Sequence, residues 1–437
     1  MREDQSPKEA SGRIFYGWWI VAVCFLVLVV HSGCAFYSFA RFTTTFTEIA
    51  AFGSSVGAIG FAASVYMLIL GLTGPAVGRL SDRLGPKKVI IGGAVIAGAG
   101  LMLLSLASQV WHLYLLYGVV GLGMSGAGVV PVSATISKWF TKRRGAAMGI
   151  ATAGIALGAF LALLTDLIID AASWQTAFLV LGLITWALII LPTTLVMKTR
   201  PSDVGLLPDG AVPPDEVAIA EMEAAPGAEV SFDIEPAWTV TRAMRTASFW
   251  LMLVAFFLVG AVIAGVLQHE DRFLTIMEVS IPATLGLALT GGIGGLGKLA
   301  FGFLADRLSP KYTAIICIAL QLVGLAILII AQMMTQNVAM VWAFVIVFGF
   351  AMGGNITLQP LVTGQLFGTA SFGAIFGWVV LIAAVGSALG PSLMGVIYDA
   401  SGSYSVGFMT FLGVYAVAIT ALFFARRPKP IGQNTTS

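Results

Sequence analysis

The chain has 437 residues, of which 58% are hydrophobic and only 10% charged, with net charge +2 and mean hydropathy +0.95. Soluble domains average about 45–50% apolar and about 25% charged residues, so a water-soluble protein of this composition could not cover its surface. The same values exclude intrinsic disorder, and the short, scattered basic groups give little support to nucleic acid as a partner. The chain reads as a polytopic protein whose solvent is membrane lipid.

Crossing the hydrocarbon takes roughly 20 apolar residues as helix. Twelve such runs follow one another, at 17–40, 54–80, 88–107, 111–137, 145–169, 174–197, 248–275, 282–305, 311–333, 338–362, 372–397 and 404–424. Continuous runs, instead of alternating ten-residue segments, exclude a β-barrel. The expected fold class is an all-α membrane protein with twelve transmembrane helices. No cleavable signal is visible: the first thirteen residues mix Arg2, Lys8 and Arg13 with Glu3, Asp4 and Glu9, and the run after them is too long for a signal core. Cys24, Cys34 and Cys317 lie inside apolar runs and make no disulfide framework.

With the N-terminus inside, the two tails and the loops on that side hold 20 of the 23 Lys and Arg residues. That asymmetry satisfies the positive-inside rule and makes both termini cytoplasmic. Only Arg41, Arg272 and Lys298 fall elsewhere. The long polar stretch 198–247 carries nine acidic residues and several prolines, and is expected to be a flexible cytoplasmic linker. It divides the chain into 1–197, an N-terminal six-helix bundle, and 248–437, a C-terminal bundle with its tail.

The halves repeat each other. Gly78, Asp82, Arg83 and Lys87 recur as Gly302, Asp306, Arg307 and Lys311 at an offset of 224. At an offset of 228, Gly121, Met124, Gly126, Gly145, Gly149 and Gly158 meet Gly349, Met352, Gly354, Gly373, Gly377 and Gly386. Two consistent offsets across several helices imply duplicated, pseudo-symmetric six-helix bundles. Parallel repeats of this kind mark transporters, with the substrate near the midplane between them. The glycine pairs Gly145/Gly149 and Gly154/Gly158 let helices pack closely in lipid, which sliding helices also require.

These residues resemble the major facilitator superfamily. The loop Gly78–Lys88, GRLSDRLGPKK, is similar to that superfamily's loop motif, with a degenerate copy after the eighth span. Its physics is a conformational latch: Gly78 and Gly85 permit close approach, Asp82 and Asp306 cap or pair with a neighbouring helix end, and Arg83, Lys87 and Arg307 hold the cytoplasmic face. Ordinary positive-inside loop chemistry is the simpler reading of the same charges. More narrowly, 139–158 (WFTKRRGAAMGIATAGIALG), Phe15–Trp19 and Gly386–Asp399 resemble the monocarboxylate transporter family and its bacterial relatives. The resemblance covers most of the chain outside 198–247. It implies transport of small carboxylates by alternating access, across a bacterial inner (cytoplasmic) membrane.

Lys298 stands sixteen residues after Pro282 and eight before Asp306, near the middle of the eighth span. A central lysine costs about 2.5–3.5 kcal/mol on insertion scales. It is either a structural ion pair with a neighbouring helix or a cation facing the cavity, where an anionic substrate supplies the counter-charge. The resemblance implies the second, because the family binds its substrate carboxylate with an arginine at this place. Many animal members also carry an aspartate one turn earlier, where this chain has Gly294. A lysine, unlike an arginine, can release its proton when buried, so Lys298 itself could load proton and carboxylate together. His269 and His31 are the alternative proton sites, or else packing histidines; the resemblance puts His269 on the substrate cavity.

Glu270, Asp271 and Arg272 follow His269, and the simplest reading is that the helix leaves the bilayer there; otherwise they line an outward vestibule. Arg41, at the outer end of the first span, is expected to steer anions without releasing a proton. Asn355, Gln359, Tyr37 and Tyr66 are further substrate-binding candidates, since transporter cavities orient ligands with a few polar groups in an apolar lining. Val129 stands where bacterial relatives often have a tyrosine, which removes one expected hydrogen bond.

The function expected is a secondary active transporter of small organic anions, with proton-coupled monocarboxylate symport in first place. Organic-anion or dicarboxylate antiport is the alternative, although the eleventh span lacks a second lysine for a second carboxylate. A non-transporting receptor on the same fold is another. No nucleotide-binding loop, clustered catalytic triad or metal-ligand spacing occurs, so neither an enzyme nor a cofactor is expected.

Overall fold

In lipid no water is present to satisfy backbone amides and carbonyls, so each apolar run must satisfy them within its own helix. A computed structural model describes residues 15–49, 52, 55–209, 238–276, 283–334 and 337–428, and apart from one isolated bridge between Phe140 and Asp209 these residues form helices and the turns joining them. The long helices are α1 (Gly17–Glu48), α2 (Val56–Leu84), α3 (Pro86–Leu104), α4 (Val110–Trp139), α5 (Arg144–Ala171), α6 (Trp174–Leu195), α7 (Ala247–Ile276), α8 (Ala283–Arg307), α9 (Pro310–Met333), α10 (Val338–Phe367), α11 (Phe372–Ser401) and α12 (Tyr404–Phe424). Among the described residues, eleven helices are long and apolar enough to cross a membrane. The remaining long helix, α8, is the one that carries Lys298, Asp306 and Arg307.

Several ends differ from the sequence expectation. Helix α1 runs to Glu48, so Arg41 lies within the helix and not at its exit. A π-helical segment at Ser32–Tyr37 interrupts it, and such bulges recur at functional sites. Helix α4 breaks at Ala127–Gly128, just before Pro131, which has no N–H to continue the ladder. Helix α7 continues through Glu270–Arg272 to Ile276, so these charges stand on a helix and not in a loop. The apolar stretch ends there, but the hydrogen-bonded helix does not.

The linker also departs from expectation at both ends. Asp209 accepts from the backbone N–H groups of Thr141 and Arg143, at 2.5 and 2.8 Å, capping the turn between α4 and α5. A short helix, Val240–Met244, leads into α7. The centre of the stretch, 210–237, lies outside the described residues.

Within the first half, α1 packs on α5, α3 on α4 and α6, and α2 on α4. Within the second, α7 packs on α11 and α12, α8 and α9 on α10, and α9 on α12. Two seams join the halves, α2 with α11 and α5 with α8. Short connections and crossing contacts (Tyr16 Oη to the Val196 carbonyl at 2.7 Å, Lys87 Nζ to that of Thr194 at 2.8 Å, Lys311 Nζ to that of Phe423 at 2.6 Å) bring the start of α1 and the end of α12 to one end of the molecule, here the near end.

Candidate functional site

The seams are built from the repeated glycines. A methyl on Gly78 would collide with the Gly373 carbonyl, and one on Gly145 with the Gly302 carbonyl. These are the same pair of contacts, related by the 224 and 228 offsets. The aspartates repeat the pattern. Asp82 accepts from the N–H groups of Gly373 and Ala374 at 3.0 and 2.8 Å, while Asp306 accepts from those of Gly145 and Ala146 at 2.5 and 2.7 Å. Each carboxylate thus caps the first turn of a helix from the opposite half, where the helix dipole favours negative charge. Lys87 is engaged with the end of α6, Gly85 makes the positive-φ turn between α2 and α3, and Arg83 and Arg307 are exposed at the same end.

Further from the near end the halves separate. Gly74 still meets Gly377, Gly71 meets Ala384 and Gly295 meets Ala156, the last two at 3.1 Å for an added methyl. One turn beyond Gly295 on the same face of α8, Gly291 has open space, as do Gly60 on α2 and Gly395 on α11. The seam is therefore tight at the near end, and its contacts give out toward the far end. Lys298 stands where closure gives way, one turn inside Gly295 and two inside Gly291. Its backbone carbonyl abuts Gly149 of α5, and its side chain is only 8% exposed.

Lys298 makes no ion pair with any described residue, and its Nζ has only the Gly294 carbonyl, at a long 3.5 Å. The structural ion pair weighed at the sequence level is absent among the described residues. Nearby, Thr152 of α5 and Thr357 of α10 share a buried 2.7 Å hydrogen bond that bridges the halves. Asn355 and Gln359 flank Thr357 on α10, the first half-buried and the second nearly fully buried.

The remaining sequence candidates scatter. His269 is satisfied on both ring nitrogens, by Tyr404 Oη at 3.2 Å and the Pro391 carbonyl at 3.1 Å, and so turns toward α11 and α12. His31 lies against Gly128 at the break in α4, within the first half. Tyr66 is buried in that half, with Gly121 packed on its backbone, whereas Tyr37 is half-exposed beside Phe36. None of these four is joined to Lys298 by a described contact.

Residues 24–383 and, in a second overlapping match, 283–437 fit the Major Facilitator Superfamily. The chain belongs to that superfamily. It is 29% identical over 415 residues to monocarboxylate transporter 12 of Rattus norvegicus, covering 90% of this chain and 82% of the relative. The superfamily fold is matched by the proton:xylose symporter XylE (TM-score 0.70, 15% identity, 95% of this chain and 97% of that one). It is matched as well by the human organic anion transporter MFSD10 (TM-score 0.66, 16% identity, 93% and 99%). This is a multi-pass transporter of the superfamily that resembles its monocarboxylate branch.

Two sites in this transporter carry no motif. Glu270, on α7, is completely buried and accepts a 2.9 Å hydrogen bond from Thr290 of α8. Arg41 places Nε 2.8 Å from Asp166 and Nη2 2.8 Å from Asp170, both on α5. Two carboxylates compensate its charge locally, so Arg41 braces α1 against α5. Partly exposed pairs are worth about 0–1 kcal/mol each. Arg41→Ala is accordingly expected to leave the ionic-strength dependence of anion uptake unchanged and to lower thermal stability by about 1 kcal/mol or less. Uptake measured across a salt series checks this: a steering residue would lose its salt slope on mutation.

Proposed function

We propose that this transporter moves small organic anions, monocarboxylates first among them, together with a proton, by alternating access between two six-helix bundles of a twelve-span fold. Both termini are cytoplasmic, and the membrane is a bacterial cytoplasmic membrane. The observation that carries the reading is Lys298: a buried cation without a described counter-ion where the tight seam between the halves gives out. In such a place a bound carboxylate replaces lost water and supplies the missing negative charge. The name of the monocarboxylate relative and the capped seams of a structure closed on one side both support it. The Thr152–Thr357 pair supplies polar groups close to the same level, while Asn355 and Gln359, two residues to either side of Thr357, stand on the opposite face of α10.

The near-end seam is one of two gates in this reading. Breaking the Asp82 and Asp306 caps lets α2 leave α11 and α5 leave α8, exposing Lys298 to the cytoplasm. The sequence offers Lys298, His269 and His31 as proton carriers. His269 and His31 are held in separate packing environments, which leaves Lys298 among the three in contact with the substrate.

A thermal-shift screen of purified full chain against small mono- and dicarboxylates, across pH, tests the substrate class. A ligand at a hundredfold its Kd stabilises the native state by about 2.7 kcal/mol, which is several degrees in apparent Tm. Stabilisation by carboxylates that disappears in Lys298→Gln is the expected result. Stabilisation by bulky cations alone overturns it.

A further inference from the structure

The two caps at the near end are alike, but the turns they hold are not. Asp82 reaches the start of α11 and Asp306 the start of α5, each from the opposite half. Before α11 the chain is turned by Gly368, whose φ of +70° suits a residue without a Cβ. At the 228 offset the same place before α5 is Phe140, which is extended instead, with φ −123° and ψ 133°. A cavity of about 160 Å³ with Thr141, Lys142, Arg144, Asp306 and Gln365 in its wall lies beside this turn, so packing alone does not fix the shape of the turn.

The start of the linker supplies what the glycine supplies in the second half. Beyond α6 the chain folds back over the near end. The Lys198 carbonyl accepts from Trp139 Nε1 at 3.0 Å, Pro201–Val204 makes a 3₁₀ turn capped by Asp203 on the Arg200 N–H at 3.0 Å, and Gly205 ends it. Asp209 then lies alongside the α4–α5 turn. Its N–H donates to the Trp139 carbonyl at 3.2 Å, and its carbonyl accepts from the Lys142 N–H at 3.3 Å. Its carboxylate divides two further donors, Oδ1 taking the N–H of Thr141 at 2.5 Å and Oδ2 that of Arg143 at 2.8 Å. The N–H groups of Gly145 and Ala146, just beyond, are the ones held by Asp306. Two carboxylates from distant parts of the chain thus hold one turn, and Arg144 between them interacts electrostatically with both. The second half has no counterpart: 228 residues after Asp209 stands Ser437, and among the described residues no carboxylate accepts from the N–H groups of 369–371.

We propose that Asp209 is a positioning residue of the near-end gate. It holds the α4–α5 turn in the shape that presents the Gly145 and Ala146 N–H groups to Asp306, and so favours the state closed at that end. The inference rests on the reading of this seam as a gate, and it gives the start of the acidic linker a part in the transport cycle beyond joining the halves. Without the Asp209 carboxylate the Thr141 and Arg143 N–H groups turn to water, and the first turn of α5 loses the anchor that aims it at α8. The linker start stays docked, because its backbone bonds to Trp139 and Lys142 do not involve the side chain. An asparagine can hold one of the two N–H groups through its single oxygen, whereas a glutamate keeps both oxygens on an arm one methylene longer.

The test uses full chain in lipid nanodiscs with spin labels on Lys88→Cys and Ala370→Cys, both exposed beside the other, α2–α11 seam; the three native cysteines are buried. Asp209→Ala should raise the ratio of near-open to near-closed molecules about fivefold, as for a lost cap, Asp209→Asn should raise it less, and Asp209→Glu should stay within about twofold of wild type. A turn with a merely structural role would loosen locally and leave this distant separation unmoved. Asp209→Ala should multiply the effect of Asp82→Asn in full, but add less than about twofold to that of Asp306→Asn, because Asp306 is the group through which it acts. If the alanine variant does not fold, Asp209→Asn carries the same comparison. No shift in Asp209→Ala, an equal shift in Asp209→Glu, or full multiplication with Asp306→Asn overturns Asp209 as a positioning residue while the gate stands. Unchanged distances in Asp82→Asn combined with Asp306→Asn overturn the gate itself, and this proposal falls with it.

Discussion

Lys298→Gln is expected to lower carboxylate counterflow roughly a hundredfold while raising the thermal stability of the protein. Truncating one partner of a desolvated, hydrogen-bonded charge pair costs about 2–5 kcal/mol, and each 1.4 kcal/mol is a factor of ten in affinity. The contacts around the site give out on one side, so a value of about 3 kcal/mol is appropriate. Without substrate the balance reverses. Lys298 makes no ion pair with a described residue and is 8% exposed, so the glutamine removes a buried charge that no carboxylate balances. Lys298→Arg keeps the charge and gains a planar fork for carboxylates, and should retain exchange within about tenfold. Counterflow and thermal unfolding on the same preparations check both halves of the result. A glutamine variant with wild-type exchange places the anion site elsewhere; one that loses both exchange and stability makes Lys298 a packing residue.

The second large effect lies at the near end. Asp82→Asn combined with Asp306→Asn should shift the population toward the state open at that end by about 30-fold. Each carboxylate accepts two backbone N–H bonds at a helix start in the opposite half, and an amide can accept only through its one oxygen and without the charge. Charge-assisted bonds contribute about 1.5–3 kcal/mol when buried. Discounted for partial solvent exposure, about 1 kcal/mol per site is reasonable, hence about 2 kcal/mol for the pair. Spin labels on Lys88 and Ala370, both exposed beside the α2–α11 seam, report the separation directly. Each single substitution should give about half of the free-energy shift, because the two caps are on separate seams. An unchanged distance distribution in the double variant would make the caps incidental to the conformational balance.

The capped seam is legible in the sequence because it is local and repeated. Gly78 and Asp82 sit four residues apart, recur at Gly302 and Asp306, and need no long-range information to be noticed. Lys298 was readable for a different reason: one charge within an apolar run is a large cost that demands an explanation. The residues hardest to read are those whose meaning depends on a partner far along the chain. Arg41 reads in the sequence as a charge that steers anions, and its partners Asp166 and Asp170 lie more than 120 residues away, although their four-residue spacing places both on one helix face. Thr152 and Thr357 are neutral hydroxyls in apolar runs and give no signal at all until two helices bring them together.

Glu270 shows the limit most clearly. Three charged residues at the end of an apolar run look like a helix leaving the membrane, since hydropathy averages over a window and does not see hydrogen bonds. In the fold α7 continues, and one of the three faces Thr290 on α8. Composition, run length, charge asymmetry and the two repeat offsets were enough by themselves to determine a duplicated, helical membrane transporter and its one deep lysine. Each of those is a property of local sequence summed or compared along the chain. Which charges are compensated, which end is closed, and which carboxylate is bonded to the helix of Lys298 were decided only by tertiary structure. The reason is physical: the energy of a charge in a membrane is set by what lies a few ångströms away, and in this fold that neighbour is usually on another helix.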